Sequence, residues 1–373
     1  MKNQSSIINH PSSIIKVLIV DDSPTVREYL SYIINRDGNL KVVGMAGDGE
    51  EAIKLVKMND PDVVIMDIQM PKMDGYEATW KIMQEHPVPI VIVSAGLNTK
   101  DVTNSFRAME AGAVAALKKP QGPGHLESEG ITAKLVQTVK LMSEVKVVRR
   151  IPQYQKTQTS ARLPSKVEVR RLPARIEIVA IGVSTGGPPV IRTILSKLTK
   201  NFPVPILIVQ HITPGFLQGM VEWLDNETPL SIRIPKNGDR ARSGDVYFAP
   251  EGYHMGITDG GEIVFSSAAP ENGVKPSVSY LFRSVTRAFG ENAVGVILTG
   301  MGKDGVLELK EMKDRGAITV AQDKESSVIH GMPGDAIKIG AATHVLSPEQ
   351  IAAFLGSTVK KKLPLMHEDS RSF

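Results

Sequence analysis

The sequence contains no cysteine, which excludes disulfides, thiolate catalysis and cysteine-ligated zinc. It also lacks any apolar run close to the roughly 18 residues needed to span a bilayer, so no direct membrane insertion is expected. The start, MKNQSSIINHPSSIIK, has no basic region followed by an apolar stretch of signal-peptide length, and nothing marks the chain for export. A cytoplasmic location is the expectation. Internal repeats and low-complexity tracts are missing too.

What is present is enough for two domains of ordinary size: 373 residues exceed the length at which one core usually keeps growing. With 42% hydrophobic and 23% charged residues the balance is that of a globular protein. The net charge of +4 is unevenly spread. Nine Lys or Arg and one acid, Glu168, fall between Lys146 and Arg175, giving +8 there and −4 elsewhere. Such a basic run can attract acidic partners, but a solvated linker accounts for it.

Residues 16–145 alternate in type. The apolar runs Lys16–Val20, Leu40–Gly44, Val63–Met66, Ile90–Val93 and Val114–Leu117 have strand length and β-branched content, without the alternation of a one-faced sheet. Amphipathic stretches separate them: Pro24–Asn35, Glu50–Met58, Tyr76–Glu85, Asp101–Glu110 and one near Ile131–Val145. Ser23 suits the first helix as N-cap and Pro24 its first turn. Five βα units predict a doubly wound parallel sheet with its site at the C-terminal strand ends. From about 146 to 173 Pro, Gln, Ser, Thr and Arg dominate and no apolar period survives. Alternation then resumes through Ile176–Val183, Pro188–Leu198, Val204–Gln210, Phe216–Asp225, Ser277–Phe289, Ala293–Leu298, Val306–Arg315 and Ala317–Ala321. An antiparallel excursion is predicted around Gly244–Phe265, where Gly, Pro and Asp are frequent.

Asp21 and Asp22 end the first predicted strand and Asp67 the third, so three carboxylates converge on one edge and require a cation. Oxygen ligands at a partly open site suit Mg²⁺. Ser94 from the fourth strand end and Lys119 from the fifth join them. A carboxylate nucleophile, a metal, a hydroxyl and an ammonium make a phosphoryl-transfer site in which Asp67 becomes an aspartyl phosphate. VDDSPTVR, IMDIQMPKMDG, VSA and KKP resemble the receiver domains of two-component response regulators, which have the flavodoxin-like (βα)5 fold. By that resemblance Asp67 is the phospho-acceptor, Asp22 a direct Mg²⁺ ligand, Asp21 a ligand through water and the Gln69 carbonyl a third ligand. Ser94 is then the switch hydroxyl, Lys119 the phosphate-binding lysine, and a histidine kinase the phosphoryl donor.

In the second half, Ser184 stands in Gly182-Val183-Ser184-Thr185-Gly186-Gly187, after a buried-type strand and before a helix opened by Pro188. This is the strand–turn–helix setting of a nucleophile elbow. Its helix N-terminus can offer N–H groups to an oxyanion, although a glycine-rich turn of this kind can also bind phosphate or a dinucleotide. His211 follows the strand PILIVQ, and Asp304 follows AVGVIL in TGMGKDG. A hydroxyl, an imidazole and a carboxylate leaving parallel strand ends of one domain are the parts of acyl-transfer catalysis. His254, His330 and His344 could line a pocket; His10, His86, His125 and His367 fall in tail, loop or turn sequence.

The order Ser, His, Asp is not that of the α/β-hydrolases. GVSTGGP, LIVQHI, FAPEGYH, PSVSYLFRSV, ILTGMGKDG and SSVIHGMP resemble instead the catalytic domain of the protein-glutamate methylesterases of bacterial chemotaxis. The resemblance implies a mostly parallel, doubly wound α/β catalytic domain that hydrolyses glutamate methyl esters on chemoreceptor cytoplasmic domains, often with deamidation of receptor glutamines. It places Ser184, His211 and Asp304 on the triad, Thr185 and Met301 at oxyanion and pocket contacts, and no cofactor at the esterase site. Thr213 and Lys303 depart from the commonest wording beside these segments. The expected organisation is a tail (1–14), a receiver (15–145), a basic linker (146–173), a catalytic domain (174–358) and a tail (359–373). A transcriptional output would need a compact basic domain with a recognition helix, and a dinucleotide site an acid about 20 residues beyond the glycine turn, where Ile206–Val209 is apolar. No nucleic-acid partner is therefore expected.

Overall fold

The computed structural model describes residues 14–94, 99–120, 128–145, 147 and 175–359. They form two compact units, one built mainly on the first half of the chain and one on the second. Apart from Val147, the segment read as a linker up to residue 173 lies outside the described residues, as do His10, His125 and His367.

The first unit runs β1 (Ile15–Val20), α1 (Pro24–Asn35), β2 (Leu40–Ala46), α2 (Gly49–Asn59), β3 (Val63–Asp67), α3 (Gly75–Glu85), β4 (Ile90–Ser94), α4 (Thr99–Ala111), β5 (Ala115–Lys118) and α5 (Ser128–Ser143). Its five strands are parallel in the order β2-β1-β3-β4-β5. β3 and β4 are buried throughout, which is why their sequences are continuous apolar runs: helices cover both faces of a doubly wound sheet. Local chemistry sets the helix starts. Ser23, Asp48 and Asp74 each accept an N–H from the first turn of α1, α2 and α3, satisfying donors that have no partner inside the helix. The chain reverses direction of growth at β1, so the ends of β1 and β3 flank the crevice where such folds bind ligands.

The second unit is centred on a seven-stranded sheet in the order β14-β13-β12-β6-β7-β9-β8. In chain order the elements from residue 178 onward are β6 (Ile178–Val183), α6 (Gly187–Leu195), β7 (Ile206–Gln210), α7 (Leu217–Glu227), β8 (Ser231–Arg233), β9 (Asp245–Phe248), β10 (His254–Ile257), β11 (Ile263–Ser266), α8 (Val278–Phe289), β12 (Ala293–Ile297), α9 (Val306–Asp314), β13 (Ile318–Gln322), α10 (Met332–Lys338), β14 (His344–Leu346) and α11 (Pro348–Thr358). Every pair within the large sheet is parallel. Among the described strands, only β10 and β11 are antiparallel, as a separate two-stranded sheet. The antiparallel excursion is thus narrower than Gly244–Phe265, because Asp245–Phe248 pairs in parallel with β7 and β8. Strand direction depends on how the chain crosses over, which residue type does not encode. The apolar faces of β6, β12, α8 and α9 meet in one core through Ile178, Ala180, Ile297, Leu281, Phe282, Val285, Leu309 and Met312.

Candidate active site

Strand order brings the sequence-predicted groups to two edges, one in each unit. In the first, Asp21 and Asp22 follow β1, Asp67 and Ser94 end β3 and β4, and Lys119 follows β5. Ligand oxygens of Asp21, Asp22 and Asp67 lie within 4.8 Å of one another. Asp21 and Asp67 are buried, and Lys119 Nζ sits 2.7 Å from Asp21 Oδ2 and 2.9 Å from Asp67 Oδ2. Burial pushes the Asp67 carboxyl up, against the pull of Lys119. For Lys119, burial works against the charge, but its pairs with Asp67 and Asp21 outweigh it and hold the ammonium above its ordinary value.

Two features fix this arrangement. Arg27 Nη1 donates to the carbonyls of Asp21 (2.6 Å) and Asp22 (3.1 Å), anchoring the turn that carries both acids. Lys72 Nζ donates to Asp48 Oδ2 at 2.6 Å, tying the loop that bears Gln69 to the head of α2. Three carboxylates against one ammonium leave an excess of negative oxygen donors. That donor set fits a hard divalent cation such as Mg²⁺.

In the second unit Ser184, His211 and the Asp304 loop leave the C-terminal ends of β6, β7 and β12, adjacent strands in the sheet. Val183 pairs with Gln210, so Ser184 and His211 emerge side by side. Gly186, at φ 78°, turns the chain from strand into α6, a left-handed conformation that suits glycine. Gly300 lets the Asp304 loop close on the elbow, since a Cβ there would lie 2.5 Å from that of Ser184. Ser184 N–H donates to Thr299 O at 3.0 Å, and Thr299 Oγ1 to Thr185 O at 3.0 Å. Ser184 and Thr185 are half-buried, and Met301 is more exposed, at 43%.

His211 Nε2 lies 2.9 Å from Asp304 Oδ2. Asp304 is buried; besides the imidazole it accepts Ser277 Oγ (2.7 Å), Val278 N–H (2.6 Å), Ser279 N–H (3.1 Å) and Asn272 Nδ2 (3.0 Å). Burial alone would raise its carboxyl, but His211, Ser277 and Val278 hold it well below the usual carboxylate range. An ionised Asp304 requires the imidazole to present Nε2–H. Nδ1 is then the ring nitrogen with a free lone pair.

The other histidines are placed differently. His254 is buried; its Nδ1 accepts Ser277 N–H at 3.2 Å, its Nε2 donates to Ala269 O at 3.0 Å, and neither nitrogen is left for catalysis. His344 packs on Phe354 in β14 and His86 caps the end of α3. His330 sits in the loop that crosses the elbow, with its Nδ1 3.4 Å from Ser327 Oγ. The burial that surrounds it lowers its pKa.

Two residues of the site escape the sequence reading. Gln210 Nε2 donates to Ser184 O (2.9 Å) and His211 O (2.7 Å), clamping the Ser184 and His211 loops together. Its signal in the sequence is a polar residue closing an otherwise apolar strand. Asn272 carries only a turn signal, in PENGV.

A receiver-type phosphoryl-transfer edge and a serine–histidine–aspartate edge on one chain define a class: response regulators whose output is a hydrolase. The chain matches the family described as CheB methylesterase over residues 179–355 and the response regulator receiver domain over residues 17–129. A protein-glutamate methylesterase/protein-glutamine glutaminase of Geobacter metallireducens is 53% identical over 93% of this chain and 100% of its own length. One from Nitrosospira multiformis is 51% identical over 93% and 98%. The solved catalytic domain of Thermotoga maritima CheB methylesterase is 36% identical, covering 49% of this chain and 99% of that one, with a TM-score of 0.48. The chain belongs to the protein-glutamate methylesterase/protein-glutamine glutaminase family.

Proposed function

We propose that Ser184, His211 and Asp304 hydrolyse glutamate methyl esters on chemoreceptor cytoplasmic domains, under control of phosphorylation at Asp67. The observation that carries this reading is the His211–Asp304 pair at 2.9 Å beside the Ser184 elbow, in a family of methylesterases. His211 Nδ1 takes the Ser184 proton as Oγ attacks the ester carbonyl. Thr185, at the head of α6, faces the developing oxyanion, and Met301 borders the ester pocket. Collapse breaks the bond to methoxide, which leaves as methanol with the proton from the imidazolium. Water, deprotonated by the same nitrogen, then cleaves the acyl-serine and frees the glutamate. A glutamine side chain follows the same course with ammonia leaving, which supports deamidation as a second activity.

In the receiver, Asp67 Oδ accepts a phosphoryl group from the histidine of a kinase. Lys119 and Ser94 then meet the phosphoryl oxygens. Asp21, Asp22, Asp67 and the Gln69 carbonyl are the residues that would hold Mg²⁺, whose charge offsets that of the phosphoryl group. The partners are accordingly a cytoplasmic kinase and a methylated receptor. Among the described residues no helix is long and apolar enough to cross a membrane.

Asp67→Asn keeps the shape of the side chain and removes the acceptor. Methanol release from a methylated receptor preparation is expected to stay at its unstimulated level when a small phosphoryl donor is added, while wild type rises. Normal stimulation of the variant would contradict the assignment of Asp67. A receiver regulates only if its two states bias the output differently. Deleting residues 1–146 is therefore expected to raise basal turnover and abolish the response to phosphoryl donors. A folded truncation no faster than the unphosphorylated whole would show that the receiver assists rather than restrains.

A further inference from the structure

Of the five donors around Asp304, three come from Ser277, Val278 and Ser279 at the head of α8. The other two are side chains brought from elsewhere: the His211 imidazole on Oδ2 and the Asn272 amide on Oδ1. The carboxylate only accepts, so Asn272 must present its NH₂ to it. The same Nδ2 lies 3.2 Å from Ser279 Oγ, so both amide hydrogens are spent on the carboxylate and its cradle.

Asn272 is held where it can do this. It stands at φ 52°, a left-handed conformation that asparagine tolerates. Its turn is closed by Glu271 N–H to Val274 O (3.1 Å) and Val274 N–H to Glu271 O (2.9 Å). Arg283 of α8 grips both oxygens of Glu271 at 2.5 and 2.6 Å, and with Nη1 reaches Glu308 Oε1 of α9 at 3.1 Å. Glu308 Oε2 in turn accepts Ser279 Oγ at 2.7 Å. One arginine therefore fastens the turn bearing Asn272 and the cradle it completes.

We propose that Asn272 is a positioning residue for the acid–base pair: with Ser277 and Ser279 it fills Asp304 Oδ1, so that Oδ2, held by Val278 N–H, meets the His211 Nε2–H and aims Nδ1 at Ser184. This rests on the triad reading above. A plain turn residue at this φ would be replaceable by glycine without effect on chemistry. A positioning amide would not.

The charged and titratable groups around Asp304 are His211 after β7, Glu271 in the turn, Arg283 on α8, Glu308 on α9, His254 acting through Ser277, and Lys303 in the Asp304 loop. Asn272→Asp adds one negative charge to that set without changing size. It favours the protonated imidazole, so the base is lost at higher pH.

The experiment measures methanol release from a methylated receptor by the full-length protein across pH, with unfolding midpoints alongside, for wild type, Asn272→Gly, Asn272→Asp and Ser184→Ala. Asn272→Gly keeps the turn and should lower kcat by about 10- to 100-fold with KM unchanged. Asn272→Asp should lower kcat and move the acid limb of the profile up by about one pH unit, a displacement that glycine should not produce. Wild-type kcat in the glycine variant, a loss explained wholly by unfolded protein, or an unmoved acid limb in the aspartate variant would each overturn the proposal. Activity surviving in Ser184→Ala would remove instead the reading on which it rests.

Discussion

Ser184→Ala is expected to reduce methanol release by about 10⁴-fold or more. On the proposed mechanism the substitution deletes the atom that forms the acyl bond, and little else. Ser184 is tied to the fold through its backbone: N–H to Thr299, and carbonyl to Gly187 N–H and the Gln210 amide. None of these bonds involves Oγ. The unfolding midpoint and phosphorylation at Asp67 should therefore match wild type, so the loss is chemical and not structural. Time-resolved methanol detection on a methylated receptor, with intact-mass measurement for acyl-enzyme, decides the matter. Turnover near that of wild type would end the assignment of the nucleophile.

Asp304→Asn is expected to lower kcat by roughly 10³- to 10⁴-fold, and unlike the serine variant to weaken the fold as well. Five donors converge on the carboxylate; an amide replaces one acceptor oxygen with an NH₂ that must face donors. If that NH₂ turns to His211, it drives the imidazole to the tautomer whose lone pair points the wrong way. Breaking a buried, fully bonded charge is worth about 3 kcal/mol or more. The pH dependence follows from the direction of the shift. Asp304 ionises well below its ordinary value in the folded chain, so its stabilisation is complete above the unfolded value of about 4 and fades as pH drops below that toward the folded value. Denaturant unfolding should thus show a gap between wild type and variant that is full at about pH 7 and narrows only in acid, below about pH 4. A gap that grew on acidification would reverse the sign and sink the argument. So would a variant with normal kcat.

Much of the fold is legible in the sequence because its signals are local. A strand covered on both faces must be apolar throughout, and the residues of Val63–Asp67 and Ile206–Gln210 are apolar up to the last one in each. Ser23 before Pro24 announces the start of α1. The elements after residue 322 are harder to see: α10 is short, and His344–Leu346 is a three-residue strand with partly exposed side chains, too brief for any period to show. α11 does begin with a local signal, a Ser347–Gln350 capping box, although the apolar alternation that marks the other elements has ended by then.

What the sequence determined by itself was residue type and position along the chain: a serine, a histidine and an aspartate, each placed after an apolar strand. Only the tertiary structure decided who meets whom. His211 and Asp304 are 93 residues apart, and Asn272 and Asp304 are 32 apart. Their contacts exist because β12 and β7 both lie against β6 and because α8 points its first turn at the carboxylate. Strand order and helix direction depend on crossovers and on core packing across the whole domain, and no window of residues carries that information.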